Sequence, residues 1–295
     1  MSKEYSPLLS RLLDDEFVIS AQIDPPGTSD INDLHQELTA LRVAGINVVD
    51  INSSRRLSHD SLQLSTHIAN IFGLDVIPHI ALRDAPLHTL MKQILATYTM
   101  SNVRSFLVVS GDPYEITTPS QRTLQVNTAN AIRTFDGHLR KSNLALNIEF
   151  AAAVNQNEND LDREGQRLEA KVAAKTDFFM SQPVFTQEQA EQTFCFYRQH
   201  TSKPLIMGIW PLVSVRTVEN IRAGKVTGVT IPDHTYESAI TFGSSESLRE
   251  WSAIEAVKLI EYIRRNQLAQ GVYLVAPLRK PSQLVNLVEM VCVSI

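Results

Sequence analysis

Cysteine is scarce in this chain. The two present, Cys195 and Cys292, stand far apart and form no metal-ligand spacing. That excludes a disulfide framework and a cysteine-bound zinc, and points to free thiols in a reducing, cytoplasmic setting. Surplus positive charge is also missing: 27 basic residues face 32 acidic ones, for a net charge of −5, with no long basic run. Nucleic acid and anionic membrane surfaces therefore have no electrostatic case. No apolar run approaches the roughly 20 residues of a membrane helix. Met1-Ser-Lys-Glu-Tyr5 has no apolar signal core. No interdomain linker and no low-complexity tract interrupts residues 1–295, so a single domain is expected.

What is present is a repeated alternation. At 43% hydrophobic and 20% charged, the 295 residues suit a globule with a sizeable core. A helical lead-in over residues 1–16 puts Leu8, Leu9, Leu12 and Leu13 on one face. Short apolar runs then begin at 17, 47, 75, 105, 144, 177, 204 and 272, and the first seven starts lie 27 to 39 residues apart. A helical pattern follows each, as at 31–44, 60–72, 86–100, 123–140, 161–174 and 186–200. Residues 212–269 hold more helix, including 246–268 with Leu248, Trp251, Ile254 and Val257 on one side, and a last helix fills about 280–291. A βα unit needs about 30 residues. Eight of them predict a (β/α)₈ TIM barrel of the α/β class. The rival, a doubly wound sheet, carries a glycine fingerprint after its first strand, and Asp24-Pro-Pro-Gly27 is not GxGxxG.

The first strand sets the pattern for the site. Phe17-Val-Ile-Ser-Ala-Gln-Ile-Asp-Pro-Pro26 is apolar until Gln22 and Asp24, and the prolines then stop the ladder. Barrel enzymes build their sites where strands open into loops. The other strand ends supply Asn52, Ser53 and Ser54, then His79, Arg83 and Asp84, then Ser110, Gly111 and Asp112. Glu149, Asn155, Ser181, Gln182, Trp210 and Arg279 complete the expected rim. It has one histidine, no metal-ligand cluster and no GxSxG elbow, so the chemistry would come from a cofactor. Each residue also has a structural reading. His79 suits a core histidine, Asp112 a turn cap, Gln182 a strand-end hydrogen bond, and Arg167 with Lys171 a solvated helix face. Spacing alone gives a ligand-binding rim and no reaction.

Several motifs in order carry a resemblance. They are Asp24-Pro-Pro26, Pro78-His79, Arg83-Asp84, Gly111-Asp112-Pro113, Asp177-Phe-Phe-Met-Ser-Gln-Pro183, Gly208-Ile-Trp-Pro-Leu-Val-Ser214 and Ile231-Pro232. Over about residues 15–291 the chain resembles methylenetetrahydrofolate reductases. It is most similar to the reductase module of bacterial proteins that fuse it to a homocysteine methyltransferase.

The resemblance implies FAD at the strand C-terminal ends. It implies hydride passing from NAD(P)H to the flavin and on to methylenetetrahydrofolate in a ping-pong scheme, within one-carbon metabolism and methionine biosynthesis. It places Asp112 near flavin and folate, and Gln182 on the pterin. Asn52, Ser53, His79, Ser110 and Gly111 fall at flavin contacts, and Arg279 among folate contacts. Asn155, Glu164, Arg167 and Lys171 would hold ribose and pyrophosphate. A homo-oligomer or partner protein is compatible with it.

One position departs from the pattern. The family's catalytic glutamate is Gln22 here, which keeps the size but has no carboxyl proton. Asp24, two residues on and on the same strand face, is the nearest substitute acid. Two alternatives stay open: a catalytically altered folate- or flavin-binding barrel serving as a regulatory subunit, and a folate-linked methyl-transfer enzyme of one-carbon catabolism.

Overall fold

The structure, a computed structural model, describes residues 4–54, 56–112, 126–141, 144–243 and 245–293. The loop expected at 114–122, Pro113 of the Gly-Asp-Pro turn and the start of the helix expected from 123 lie outside these residues.

Eight parallel strands close into a barrel in sequence order. They are β1 (Val18–Ile23), β2 (Val48–Ile51), β3 (Asp75–Ala81), β4 (Ser105–Val109), β5 (Glu149–Val154), β6 (Phe178–Val184), β7 (Leu205–Ile209) and β8 (Gly271–Val275). β1 pairs with both β2 and β8, which makes the closure. The helices are α1 (Pro7–Leu13), α2 (Asn32–Val43), α3 (Ser61–Phe72), α4 (Leu87–Ser101), α5 (Thr128–Phe135), α6 (Leu161–Ala173), α7 (Gln187–His200), α8 (Val215–Arg222), α9 (Asp233–Phe242), α10 (Ser245–Arg265) and α11 (Val285–Val293). A π-turn, Asp136–Arg140, extends α5. Among the described residues no helix is long and apolar enough to cross a membrane.

The strands are buried on both faces, as a parallel barrel demands. Outward residues such as Val49, Ile80, Phe106, Phe150 and Phe179 pack against the helices. Inward residues, Val48, Ile77, Leu107, Ala151, Phe178 and Ile206 among them, fill the interior. Leu8, Leu9 and Leu12 join that inner cluster, so α1 closes the N-terminal end of the barrel. Leu13, expected on the same face, is 47% exposed. The helix ends at Leu13 after about two turns, and Leu13 falls off the stripe. On α10, Ile254 likewise points outward at 45% exposure.

β5 lies about five residues later than its expected start. The apolar cue at Leu144 is loop, and the strand is carried by Phe150-Ala-Ala-Ala-Val154. Glu149 therefore opens the strand at the closed end of the barrel, opposite to the rim where it was expected. It is buried there, accepting from the Ser6 N–H at 2.6 Å and from the hydroxyls of Ser6 at 2.5 Å and Ser105 at 2.7 Å.

Candidate functional site

The strand C-terminal ends surround a cleft with two lobes, of about 460 Å³ and about 420 Å³. Gln22, Asp24, Asn52, Gln182, Tyr273 and Arg279 line both. The first lobe adds Ser53, Ser54, His79, Ser110, Gly111, Asp112 and Asn155 over an apolar floor of Leu107, Val109, Ala153 and Met180. The second is drier, walled by Trp210, Pro211, Val213, Val229, Val275 and Pro277.

Hydrogen bonds between neighbouring loops hold the rim. The Asn52 amide donates to Asp24 Oδ1 at 2.8 Å, and Arg279 Nε stands 3.2 Å from Asp24 Oδ2. Both Asp24 oxygens thus face donors. Arg279 itself takes φ +61°, a left-handed backbone that aims it across the mouth. Ser53 donates to Asp84 at 2.7 Å, while Arg83 donates to the Ser53 carbonyl at 2.9 Å. Gly111, at φ +80°, lies against Arg83: an added Cβ would stand 2.3 Å from Nη1.

Gln182 sits where the β6–β7 register slips between Met180 and Pro183. On the β5 side, where pairing ends at Val154 and Ser181, the Gln156 side chain continues the ladder, donating to the Gln182 carbonyl at 2.8 Å and accepting its N–H at 3.0 Å. Gly228 packs close to Gln182 and Asn155, and its carbonyl accepts from the Asn157 amide at 2.9 Å. Residues 226–229 form a strap over this side of the mouth. Gln156 and Asn157 are polar loop residues whose partners lie far along the chain, so their support of Gln182 and Gly228 was not legible in the sequence.

Beneath the rim lies a residue that sequence reading passed over. Asp50, inward on β2, is fully buried and in register with Gln22 on β1. Ser20 donates to its Oδ2 at 2.8 Å, and His79 Nε2 stands 3.2 Å from its Oδ1. Those two facing atoms have no well-aligned hydrogen bond. The signal available was a carboxylate inside an apolar strand, Val48-Val-Asp-Ile51. Across the barrel Tyr273 donates to the Ser181 carbonyl at 2.8 Å. Burial, reinforced by the Asp50 charge, pushes its phenol far above the usual range. Gly208 makes room for that ring.

The family model described as methylenetetrahydrofolate reductase matches residues 8–280. The chain belongs to the methylenetetrahydrofolate reductase family. No curated protein sequence gives a significant match. Among solved structures, a protein from Clostridium thermocellum described as binding two copies of 5-methyl-5,6,7,8-tetrahydrofolic acid superposes with a TM-score of 0.67 at 14% identity, covering 98% of this chain and 100% of that one. A 2,3-dimethylmalate lyase, of the PEP mutase/isocitrate lyase superfamily, superposes with a TM-score of 0.53 at 12% identity over 90% and 78% of the chains. At these identities both speak for the barrel alone.

Within this reductase-family barrel the expected site residues divide into two groups. Gln22, Asp24, Asn52, Ser53, His79, Ser110, Gly111, Asp112, Asn155, Gln182 and Arg279 share the first lobe. Glu164, Arg167 and Lys171, on α6, form a network behind it. Glu164 is buried and accepts the Asn155 N–H at 3.2 Å. Lys171 donates to the Ala153 carbonyl at 2.8 Å and reaches Glu164 at 3.4 Å. Burial lowers its ammonium below the ordinary lysine range, against the pull of Glu164. Arg167 bridges Glu158 and Glu164 at 3.2 and 3.3 Å, with its side chain 42% exposed.

Proposed function

We propose that this chain reduces 5,10-methylenetetrahydrofolate to 5-methyltetrahydrofolate with NAD(P)H, using FAD. The observation that carries this reading is the gathering of Gln182, Asp112, His79 and Arg279 in one cleft of a reductase-family barrel. The residues present suit a flavin. Amides, hydroxyls and His79 surround an apolar floor that fits a flat heterocycle, and Gly111 offers its backbone without a side chain in the way. Arg167 is the half-exposed cation that can exchange Glu158 for a diphosphate. Lys171 and Glu164 would act from behind, holding the end of β5 that carries Asn155. FAD bound there supplies a two-electron carrier, so NAD(P)H and folate use the cleft in turn.

The remaining roles belong to the chain's own groups. Gln182, fixed by Gln156, would present its amide to the pterin edge. The Asp112 carboxylate would disfavour extra negative charge on a reduced ring. Arg279 would reach the acidic tail of folate. Gln22 can hold a substrate nitrogen but has no carboxyl proton to give it.

A second reading is a folate-binding barrel with altered chemistry. Gln22 favours it, as do the two lobes of similar volume beside a structural neighbour that holds two methyltetrahydrofolates. Stopped-flow spectroscopy separates the two. The purified protein is mixed with FAD and NAD(P)H, then with methylenetetrahydrofolate. Bleaching of the flavin band and its return with folate support the reductase. Folate binding without flavin binding supports the second reading, and methyl transfer from methyltetrahydrofolate without NAD(P)H would overturn the first.

A further inference from the structure

Reduction of this substrate, as read above, needs a proton when the methylene bridge opens. The bond from the methylene carbon to N10 breaks, and its electron pair stays on N10, which takes the proton. The N5 lone pair then forms the iminium, and a hydride, which NAD(P)H would supply with FAD as carrier, turns it into the methyl group. Gln22 cannot donate that proton.

Asp112, read above as facing the flavin, is the rival acid in the first lobe, and three other groups at the cleft are already committed. Asp24 stands between Asn52 and Arg279 with both oxygens engaged. Asp84 accepts from Ser53 and stands 3.2 Å from Arg83 Nε. The Tyr273 hydroxyl is buried and spent on the Ser181 carbonyl. His79 differs. Its ring lines the first lobe while Nε2 faces a fully buried carboxylate.

Resting on the reductase reading, we infer that His79 is the proton donor to N10 and that Asp50 is the residue that positions it. The arrangement follows the carboxylate–imidazole logic of acid–base dyads, in which the buried acid orients the ring and fixes its tautomer. Ser20 satisfies one Asp50 oxygen and leaves the other for the imidazole. After the transfer Nε2 keeps its proton toward Asp50, and the other ring nitrogen is recharged from water.

The same geometry accounts for Gln22. Residues 22 and 50 are paired in register on adjacent strands, both directed inward. A glutamate at 22 would set two carboxylates side by side above a dry interior, where like charges resist joint ionisation. The acid missing from β1 and the acid buried on β2 thus belong to one arrangement, in which the donor is the His79 ring on β3.

The test compares the cost of His79→Gln in two backgrounds, read as the rate of flavin reoxidation by methylenetetrahydrofolate. In the native chain the expected loss is about 10²–10⁴-fold. In Gln22→Glu/Asp50→Asn, which restores an acid at 22 without crowding it, the expected loss is below roughly tenfold on the same scale. Equal losses in both backgrounds would mean a structural or flavin-contact role and overturn the inference. A small loss in the native chain, with the step abolished by Asp112→Asn, would overturn it in favour of Asp112. Nitrogen chemical shifts of the His79 ring in the ligand-free protein test the pair without turnover. A proton on Nε2 that depends on Asp50 is expected, and a proton on the other nitrogen alone overturns the positioning. Should the native chain reduce no folate at all, the reductase reading fails and the donor role with it, whatever the ring shifts show.

Discussion

Gly111 shows how a single residue fixes the rim. Its positive φ and the Arg83 guanidinium at the place of a Cβ both exclude a side chain. Gly111→Ala should lower stability by about 1–3 kcal/mol through strain alone, and should also displace Arg83 from Ser53. Urea denaturation beside ligand titration checks both effects. At this scale the sequence was legible where a polar residue ended an apolar strand, as with Gln22, Asn52, Ser110 and Gln182. It was opaque for Asp50, because a carboxylate within a strand reads as pattern noise until register shows Gln22 beside it and the fold brings His79 onto it. The motif resemblance placed Glu164 and Lys171 at a ligand. The structure shows their side chains engaged with each other and with the backbone of the β5 end. Lys171→Ala should therefore lower thermal stability in the ligand-free protein, which a calorimetric scan would reveal.

Among the elements, β5 and β6 are clamped at their N-terminal ends by Arg140. It pairs with Asp136 at 2.8 Å and Asp177 at 2.9 Å, donates to the Lys175 carbonyl at 3.0 Å and lies over the Phe150 ring. The π-turn swings this side chain under the barrel. Arg140→Ala would remove an ion-pair partner from each of two poorly solvated carboxylates, at an expected cost of about 3 kcal/mol in denaturant titrations. Asp136 adds a pH dependence. Burial pushes its carboxyl up, but the Lys141 hydrogen bond and the charges of Arg140, Lys141 and Lys175 outweigh it and hold the group below the ordinary range. The folded chain thus binds this proton more weakly than the unfolded one. Its stabilisation is complete above an ordinary aspartate value of about 4 and fades as pH falls through the depressed folded value. Asp136→Asn should flatten the acid limb of a stability–pH curve. The misplacement of β5 has a physical cause at this scale. A strand lining a crowded barrel uses small residues, and Ala151-Ala-Ala153 carries little of the β-branched signal that marks strands elsewhere.

The whole molecule is closed at one end and open at the other. Three leucines of α1 fill the closed end, where each full burial is worth roughly 1.5–3 kcal/mol. The Glu149 carboxylate anchors the start of the helix through Ser6. Glu149→Ala should leave one N–H and two hydroxyls without their acceptor, for a loss on the order of 3 kcal/mol. Leu9→Ala should cost about 2–5 kcal/mol. Neither change touches the cleft, so ligand affinity per folded molecule should hold while the denaturation midpoint falls. The barrel itself was legible from eight strand–helix alternations, since that period leaves few architectures. Its plugged base was not, because the socket of α1 is assembled from residues spread along the chain, from Val18 and Val48 to Ser105, Glu149 and Ile206.

That distance matters while the polypeptide is being made. The seat of α1 needs Ser105 and Glu149, and β1 gains its second neighbour only with β8. A growing chain therefore carries Leu8, Leu9, Leu12 and the open edge of β1 through most of its synthesis without their native cover. These are contacts of very high sequence separation, which form slowly, and exposed edges of this kind invite wrong pairing. The N-terminal segment of the barrel is among the last to find its place, and that interval is when a chaperone would have something to hold.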